Sequence, residues 1–281
     1  MIEVICLLLG RILLLLIGGY ELIWRLRERL NALVVRWSYD LWRSGTAREA
    51  HERRVLADCR SQLTKTPQHL VLVISPMDAG VDAVLLRRIF DFALDVGIKH
   101  VSLYDRRSKG KGYVELAEIC RSASEEQGSC FKWPPVFPSK QENQSKNGQK
   151  TNGYVNGANG SHSPQLQLYQ ISASDGHALI ADVCRELYEG RESTMVQNLL
   201  KQKREALTEQ ITGMLNKRLG FEAPEPELGI VFARQTCTYG LLPWHVRFTE
   251  FHTHPSGRHF DVETFANILC KYSRCEQRWG T

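Results

Sequence analysis

His252, His254 and His259 fall within one short stretch, His-Thr-His-Pro-Ser-Gly-Arg-His, which invites a metal reading. Imidazoles at that spacing are zinc-type donors. Pro255 and Gly257 nevertheless make the stretch a loop, and no cysteine or carboxylate stands at matched spacing. A solvated loop between the last strand and the last helix is therefore the expectation. The eight cysteines (Cys6, Cys59, Cys120, Cys130, Cys184, Cys237, Cys270, Cys275) form no C-x-x-C pair and read as free thiols, many of them buried, in a reducing compartment. There is no G-x-x-x-x-G-K-[ST], no G-x-G-x-x-G and no G-x-S-x-G, which removes the commonest nucleotide-binding and hydrolase readings.

The elements that would position any chemistry follow from the apolar pattern. His69-Leu-Val-Leu-Val-Ile-Ser75 is a continuous apolar run, the mark of a strand covered on both faces. Val81 to Val96 repeats apolar residues at helical spacing and stops at Gly97, and His100-Val-Ser-Leu-Tyr104 is a second strand. Strand, helix and strand in that order make a right-handed crossover and a parallel sheet. Thr46 to Leu63, Tyr113 to Glu126, Gly176 to Tyr188, Glu192 to Leu219 and Asp261 to Cys275 are expected helices; Gln165 to Ile171 and Glu227 to Phe232 are expected strands. The fold class is an open, mostly parallel α/β sheet flanked by helices. Ligands in such sheets sit beyond the carboxyl ends of the strands, which directs attention to Ser75 to Gly80 and Ala233 to Gly240. Residues 139–163, rich in Asn-Gly pairs and almost without apolar side chains, read as a disordered insertion.

Composition bounds the partners. The chain has 281 residues, 43% hydrophobic and 24% charged, with a net charge of +5 from 36 basic and 31 acidic residues. Residues 1–65 hold 11 Lys/Arg against 7 Asp/Glu, leaving 25 against 24 for the remainder. A nearly neutral body lacks the basic face that a nucleic-acid binder needs, so no nucleic-acid partner is expected. Residues 4–24 are apolar apart from Arg11 and Glu21 and would reach about 31 Å as a helix, the thickness of a hydrocarbon core. An uncleaved anchor, a cleaved signal peptide and a helix lying in the interface compete for this segment. Arg25, Arg27, Arg29, Arg36 and Arg43 follow the apolar run rather than precede it, which favours the anchor and places the body in the cytosol. The expected organisation is an N-terminal membrane anchor and juxtamembrane helix over 1–45 and one domain over 46–281.

Pro226-Glu-Leu-Gly-Ile-Val-Phe232, Tyr239-Gly-Leu-Leu-Pro-Trp-His-Val-Arg-Phe-Thr-Glu-Phe251 and Cys275-Glu-Gln-Arg-Trp-Gly280 resemble the Nogo-B receptor type of subunit of eukaryotic dehydrodolichyl diphosphate synthase, in the cis-prenyltransferase (undecaprenyl diphosphate synthase-like) family. The likeness extends more weakly over Val71 to Asp105 and Tyr20 to Trp24. Catalytic members follow their first strand with Met-Asp-Gly-Asn, whose Asp handles magnesium and diphosphate. Here that register places Pro76 at the Asp, with Met77-Asp78 a shifted match. In the second catalytic motif, laid from Pro226, the arginines become Val231 and Cys237, the glycine Arg234, the glutamate Gln235 and the serine Tyr239, while Trp244 and Glu250 still match. The resemblance thus implies a subunit that is inactive alone. Its C-terminal tail, 276–281, would carry an R-x-G (Arg278, Trp279, Gly280) into a partner's active site, with Arg278 and Gly280 contributing to catalysis there and all three residues to substrate diphosphate binding.

The implied partner is the catalytic subunit of that synthase. The pair would add isopentenyl diphosphate to farnesyl diphosphate in cis, making the dolichol precursor for protein glycosylation. Mg2+ would be bound mainly by the partner, none of its ligands coming from this chain, and the pair would sit at the endoplasmic reticulum membrane. Trp244, Phe248 and Phe251 are the expected interface residues, although core packing suits the same aromatics. The alternative is a membrane receptor or adaptor built on a degenerate prenyltransferase fold, binding a ligand or a sterol-trafficking partner without a catalytic contribution.

Overall fold

The computed structural model describes residues 10–24, 26–27, 30, 34, 45–78, 80–108, 110, 112–125, 130–133, 165–202, 204–221 and 223–276. The insertion expected over 139–163 and the tail residues Arg278, Trp279 and Gly280 lie outside them.

Every residue of His69–Ile74 (β1) is buried, as its unbroken apolar run requires. It forms the centre of a six-stranded sheet with His100–Asp105 (β2), Phe131–Lys132 (β3), Leu166–Ile171 (β4), Leu228–Phe232 (β5) and Glu250–His254 (β6). The strand order is β3-β4-β2-β1-β5-β6, and every pairing is parallel.

Because successive side chains alternate between faces, the strands feed two separate cores. Leu70, Leu72, Ile74, Val101, Leu103, Leu166, Leu168, Leu228, Ile230 and Phe232 point to one face and pack against helices Gly45–Gln62 (α2), Ala83–Val96 (α3), Leu116–Glu125 (α4) and Val262–Arg274 (α8). Val71, Val73, Tyr104, Tyr169, Ile171 and Val231 point to the other, where they meet Phe221, Ala223, Leu241 and Leu242. On that side run His177–Glu189 (α5), Thr194–Lys201 (α6) and Arg204–Leu219 (α7), with α7 contacting both of the others. The N-terminal helix, over residues 10–24 (α1), leaves Leu13 to Leu16 between 59 and 76% exposed. Among the described residues no helix is long and apolar enough to cross a membrane.

Helix limits are set by local chemistry. Asp82 caps α3 by accepting from the Leu85 amide at 2.8 Å, and Gly97, at φ 90, ends it by donating to the Ala93 and Leu94 carbonyls. Asp261 does the same for α8 through the Thr264 amide. One expectation about the loops is overturned: Glu250 to His254 is an edge strand, so His252 and His254 lie on β6 rather than in a solvated loop. Of the described cysteines only Cys59 is buried, which corrects the expectation that many would be. Burial, then its neighbour Cys270 at 3.9 Å, pushes its thiol up to about 12.

One buried polar cluster lies at the amino end of the sheet. His69 bonds the Pro224 carbonyl through Nδ1 at 2.6 Å and the Ser102 hydroxyl through Nε2 at 2.9 Å. Its ring also meets those of His100, Tyr169 and Phe221. The neutral ring with hydrogen on Nδ1 satisfies both bonds, donating to Pro224 and accepting from Ser102. Burial holds its pKa down at about 3, against an ordinary 6.5. The unfolded chain therefore binds a proton that the folded one refuses between those values, and folding stability falls as pH falls below 6.5. For this one group the loss is about 2 kcal/mol between pH 6.5 and 5. Urea unfolding at pH 7 and pH 5 should show the wild type losing that much more on acidification than His69→Gln; equal losses would place the pH dependence elsewhere.

Candidate functional site

The loops at the carboxyl ends of β1, β2, β5 and β6 gather at one rim of the sheet. The β1 loop is organised by Asp78. Its Oδ1 accepts from the amides of Gly80 at 2.5 Å and Val81 at 3.0 Å, and its Oδ2 accepts from the amide of Gly257, just beyond β6, at 3.1 Å. The two loops interlock so closely that a Cβ on Gly257 would meet the Val81 nitrogen at 2.7 Å. The carboxylate that sequence reading singled out as a shifted diphosphate ligand is thus turned inward and occupied by backbone.

Beside it lies an ion pair that the sequence reading did not identify. Arg107 and Asp105 are both fully enclosed, with Arg107 Nη2 2.7 Å from Asp105 Oδ2 and Nε 3.0 Å from Oδ1. Arg107 Nη1 also donates to the carbonyls of Val81 at 2.6 Å and Asp78 at 3.3 Å, while Asp105 accepts from the Val114 amide at 3.1 Å. Guanidinium and carboxylate are each surrounded by partners, as buried charges must be. The sequence signal was Asp105-Arg106-Arg107 directly after a strand, but nothing there distinguishes the inward arginine from the outward one.

The β5 positions show what became of the second motif. Val231 is completely buried among Val71, Val73, Tyr104 and Tyr169, so this position is core. Cys237 is exposed. Arg234 is also exposed, with its guanidinium over the ring of Trp24 at 5.3 Å. Tyr239 adopts φ 52, and its carbonyl accepts from the Tyr104 hydroxyl at 2.8 Å. The residues present do not fit a magnesium site: both oxygens of Asp78 and both of Asp105 already accept from the protein's own donors.

The three aromatics expected at an interface are differently placed. Trp244 is half-buried and donates from Nε1 to the Thr212 hydroxyl at 2.9 Å. Phe248 is 50% exposed, and Arg247 lies over both its ring and that of Trp244. Phe251 is folded onto Gly229, whose missing side chain makes room for the ring. Glu250 starts β6 at the opposite, amino end of the sheet, where it bonds His252 at 2.7 Å. Cys275 sits at that same end: the Lys65 ammonium reaches its carbonyl at 2.6 Å, and a hydrogen bond to Glu250 is the first cause of its thiol's raised pKa. The remaining histidine of the sequence cluster, His259, lies in a short 3-10 turn, and His254 Nδ1 bonds the Ser256 carbonyl at 2.8 Å.

If Arg107 and Asp105 brace the rim as a pair, removing one alone should cost about 3–5 kcal/mol, because the other charge is left buried and unpaired. Urea unfolding of Arg107→Met, Asp105→Asn and the double variant tests this. The double variant is expected to lose clearly less than the sum of the two single losses.

No protein-family model matches the chain. Among curated proteins it is similar to the "Dehydrodolichyl diphosphate synthase complex subunit NUS1" of Homo sapiens, 29% identical over 234 residues that cover 82% of this chain and 72% of that protein. It is also similar to the subunit nus1 of the same complex from Schizosaccharomyces pombe, at 23% identity over 78% of this chain and 79% of the relative. Among solved structures, lavandulyl diphosphate synthase from Lavandula x intermedia aligns with a TM-score of 0.47 and 15% identity, over 76% of this chain and 98% of that one. The motifs from Pro226 onward and relatives matched over most of their length point the same way: the chain is similar to the NUS1 subunits of dehydrodolichyl diphosphate synthase complexes.

Proposed function

We propose that this chain is the accessory, catalytically incomplete subunit of a dehydrodolichyl diphosphate synthase. It pairs with a catalytic chain that binds Mg2+ and elongates farnesyl diphosphate with isopentenyl diphosphate in cis. The observation that carries the proposal is the fate of the phosphate-handling positions. Val231 is core, and the Asp78 carboxylate is closed on the amides of Gly80, Val81 and Gly257. Departure of a diphosphate requires its charge to be neutralised by metal and guanidinium groups, and this chain's own rim presents neither of the motif's arginines.

The tail supplies what the rim lacks. Its attachment point, Cys275, stands at the amino end of the sheet beside Lys65 and Glu250. That end lies opposite the carboxyl rim, and β6 alone separates the two by about 13 Å. That geometry supports delivery of Arg278 to a neighbouring chain instead of this chain's own rim. There its guanidinium would hold substrate diphosphate oxygens through paired, charge-assisted bonds, and Gly280 would allow close backbone approach. Trp244, Phe248 and Phe251 belong to the face proposed to meet the partner; of the three, Phe248 is the most available. Residues 4–24 are proposed to hold the subunit at the endoplasmic reticulum membrane with its body in the cytosol, in keeping with the exposed apolar side chains of α1.

Isopentenyl incorporation should be measured for each chain alone, for the co-purified pair, and for pairs carrying Arg278→Ala or lacking residues 278–281. Neither this chain nor the truncated pair should turn over appreciably, while the intact pair should. Arg278→Ala should lower turnover roughly a hundredfold, the scale of losing one charge-stabilising donor, with assembly unchanged on gel filtration. Full activity of the truncated pair would overturn the role given to the tail.

A further inference from the structure

Helices α2 and α8 run side by side in the same direction, and paired groups set their register. His51 Nε2 and Glu263 Oε1 are 2.6 Å apart near the start of α8. The Thr64 hydroxyl, just past the end of α2, donates to the Ser273 carbonyl at 2.6 Å. Between these two points Cys59 and Cys270 face each other with their sulfurs 3.9 Å apart. Cys59 Sγ also lies 3.7 Å from the carbonyl of Ala266, one turn before Cys270, where a side chain as small as a methyl lets the two helices approach closely. Cys59 is buried, Cys270 is partly exposed, and both are free thiols.

We propose that Cys59 and Cys270 are a redox-sensitive pair that a peroxide converts to a disulfide, stapling α2 to α8. The sulfurs must close from 3.9 Å to about 2.0 Å. With the register already held on either side, that closure falls to the two side chains rather than to a slide of one helix along the other. Cys270, the thiol that solvent reaches, meets the peroxide first: its sulfur takes one oxygen as the O–O bond breaks, giving a sulfenic acid and one water. The Cys59 sulfur then attacks the Cys270 sulfur. The S–S bond forms as the S–O bond breaks, and the Cys59 proton leaves with the hydroxyl as a second water, so that two thiols have lost two electrons to one peroxide. Burial withholds Cys59 from oxidants in solution, and its route to oxidation runs through the neighbour it touches. Reduced thiols are the resting state in a reducing compartment, and a thiol reductant reverses the bridge. Across 211 positions of sequence, oxidation would join the helix that opens the α/β domain to the helix that leads into the C-terminal tail.

The test uses cells expressing the full chain, exposed briefly to hydrogen peroxide and quenched in acid. Remaining thiols are blocked with N-ethylmaleimide, and the protein is digested with trypsin without reductant. Cleavage leaves Cys59 in a peptide of residues 55–60 and Cys270 in one of residues 259–271. Mass spectrometry should find these two peptides joined, with a parallel loss of their blocked forms and recovery of both after dithiothreitol. Chain unfolded in urea before the same treatment should lose the preference for this link. In Cys59→Ser, Cys270 should accumulate as a sulfenic acid that dimedone traps, whereas in Cys270→Ser, Cys59 should stay a thiol. Both peptides remaining blocked, sulfinic acid at Cys270 without the joined peptide, or a joined yield no greater than from the unfolded chain overturns the pair. Oxidation of Cys59 in Cys270→Ser overturns the order of the two steps.

Discussion

The buried carboxylate of Asp78 is the point on which the carboxyl rim closes. It joins two stretches of chain that are far apart in sequence, the loop after β1 and the loop after β6, through amides of Gly80, Val81 and Gly257. A carboxylate removed from water must find donors within the protein, and backbone N–H groups in two tight loops must find acceptors. Each need answers the other. The Arg107–Asp105 pair extends the solution to the loop after β2, because Arg107 also takes the carbonyls of Val81 and Asp78. Three strand ends are thereby fixed by two acids, one base and main chain.

That closure ties the rim's inward carboxylates, Asp78 and Asp105, to the protein's own donors. Here the charges that remain inside are satisfied by one another, and the position where the motif carries an arginine belongs to the second core through Val231. Returning an arginine to that position would bury a guanidinium among Val71, Val73 and Tyr104 rather than present it to a ligand. An arginine at this one position would therefore cost packing without presenting a charge at the rim.

Much of the framework was legible in the sequence because the inner strands and α3 obey strong local rules. β1 announces itself as an unbroken apolar run, and α3 by its spacing and by Gly97, which takes the left-handed conformation that a glycine at a helix end suggests. β6 was not legible. Glu-Phe-His-Thr-His is largely polar and, among the described residues, occupies the sheet edge, where apolar periodicity is not required. The Asp105–Arg107 pair was hidden for another reason: inward and outward charges look identical in sequence, and only the fold decides which of Arg106 and Arg107 is enclosed. At the candidate site, the motif positions showed which ligands had been replaced, but the direction in which Asp78 turns depended on Gly257, remote in sequence.

The division of labour implied by this geometry follows from the placement of the two ends of the sheet. Cys275, held at the amino end beside Lys65 and Glu250, stands at the opposite end of the sheet from the rim that Asp78 closes. The contribution proposed for the tail therefore starts from the end of the sheet away from the rim. The interior charges stabilise the scaffold, and the chemistry proposed for the tail would fall to residues whose position the partner sets.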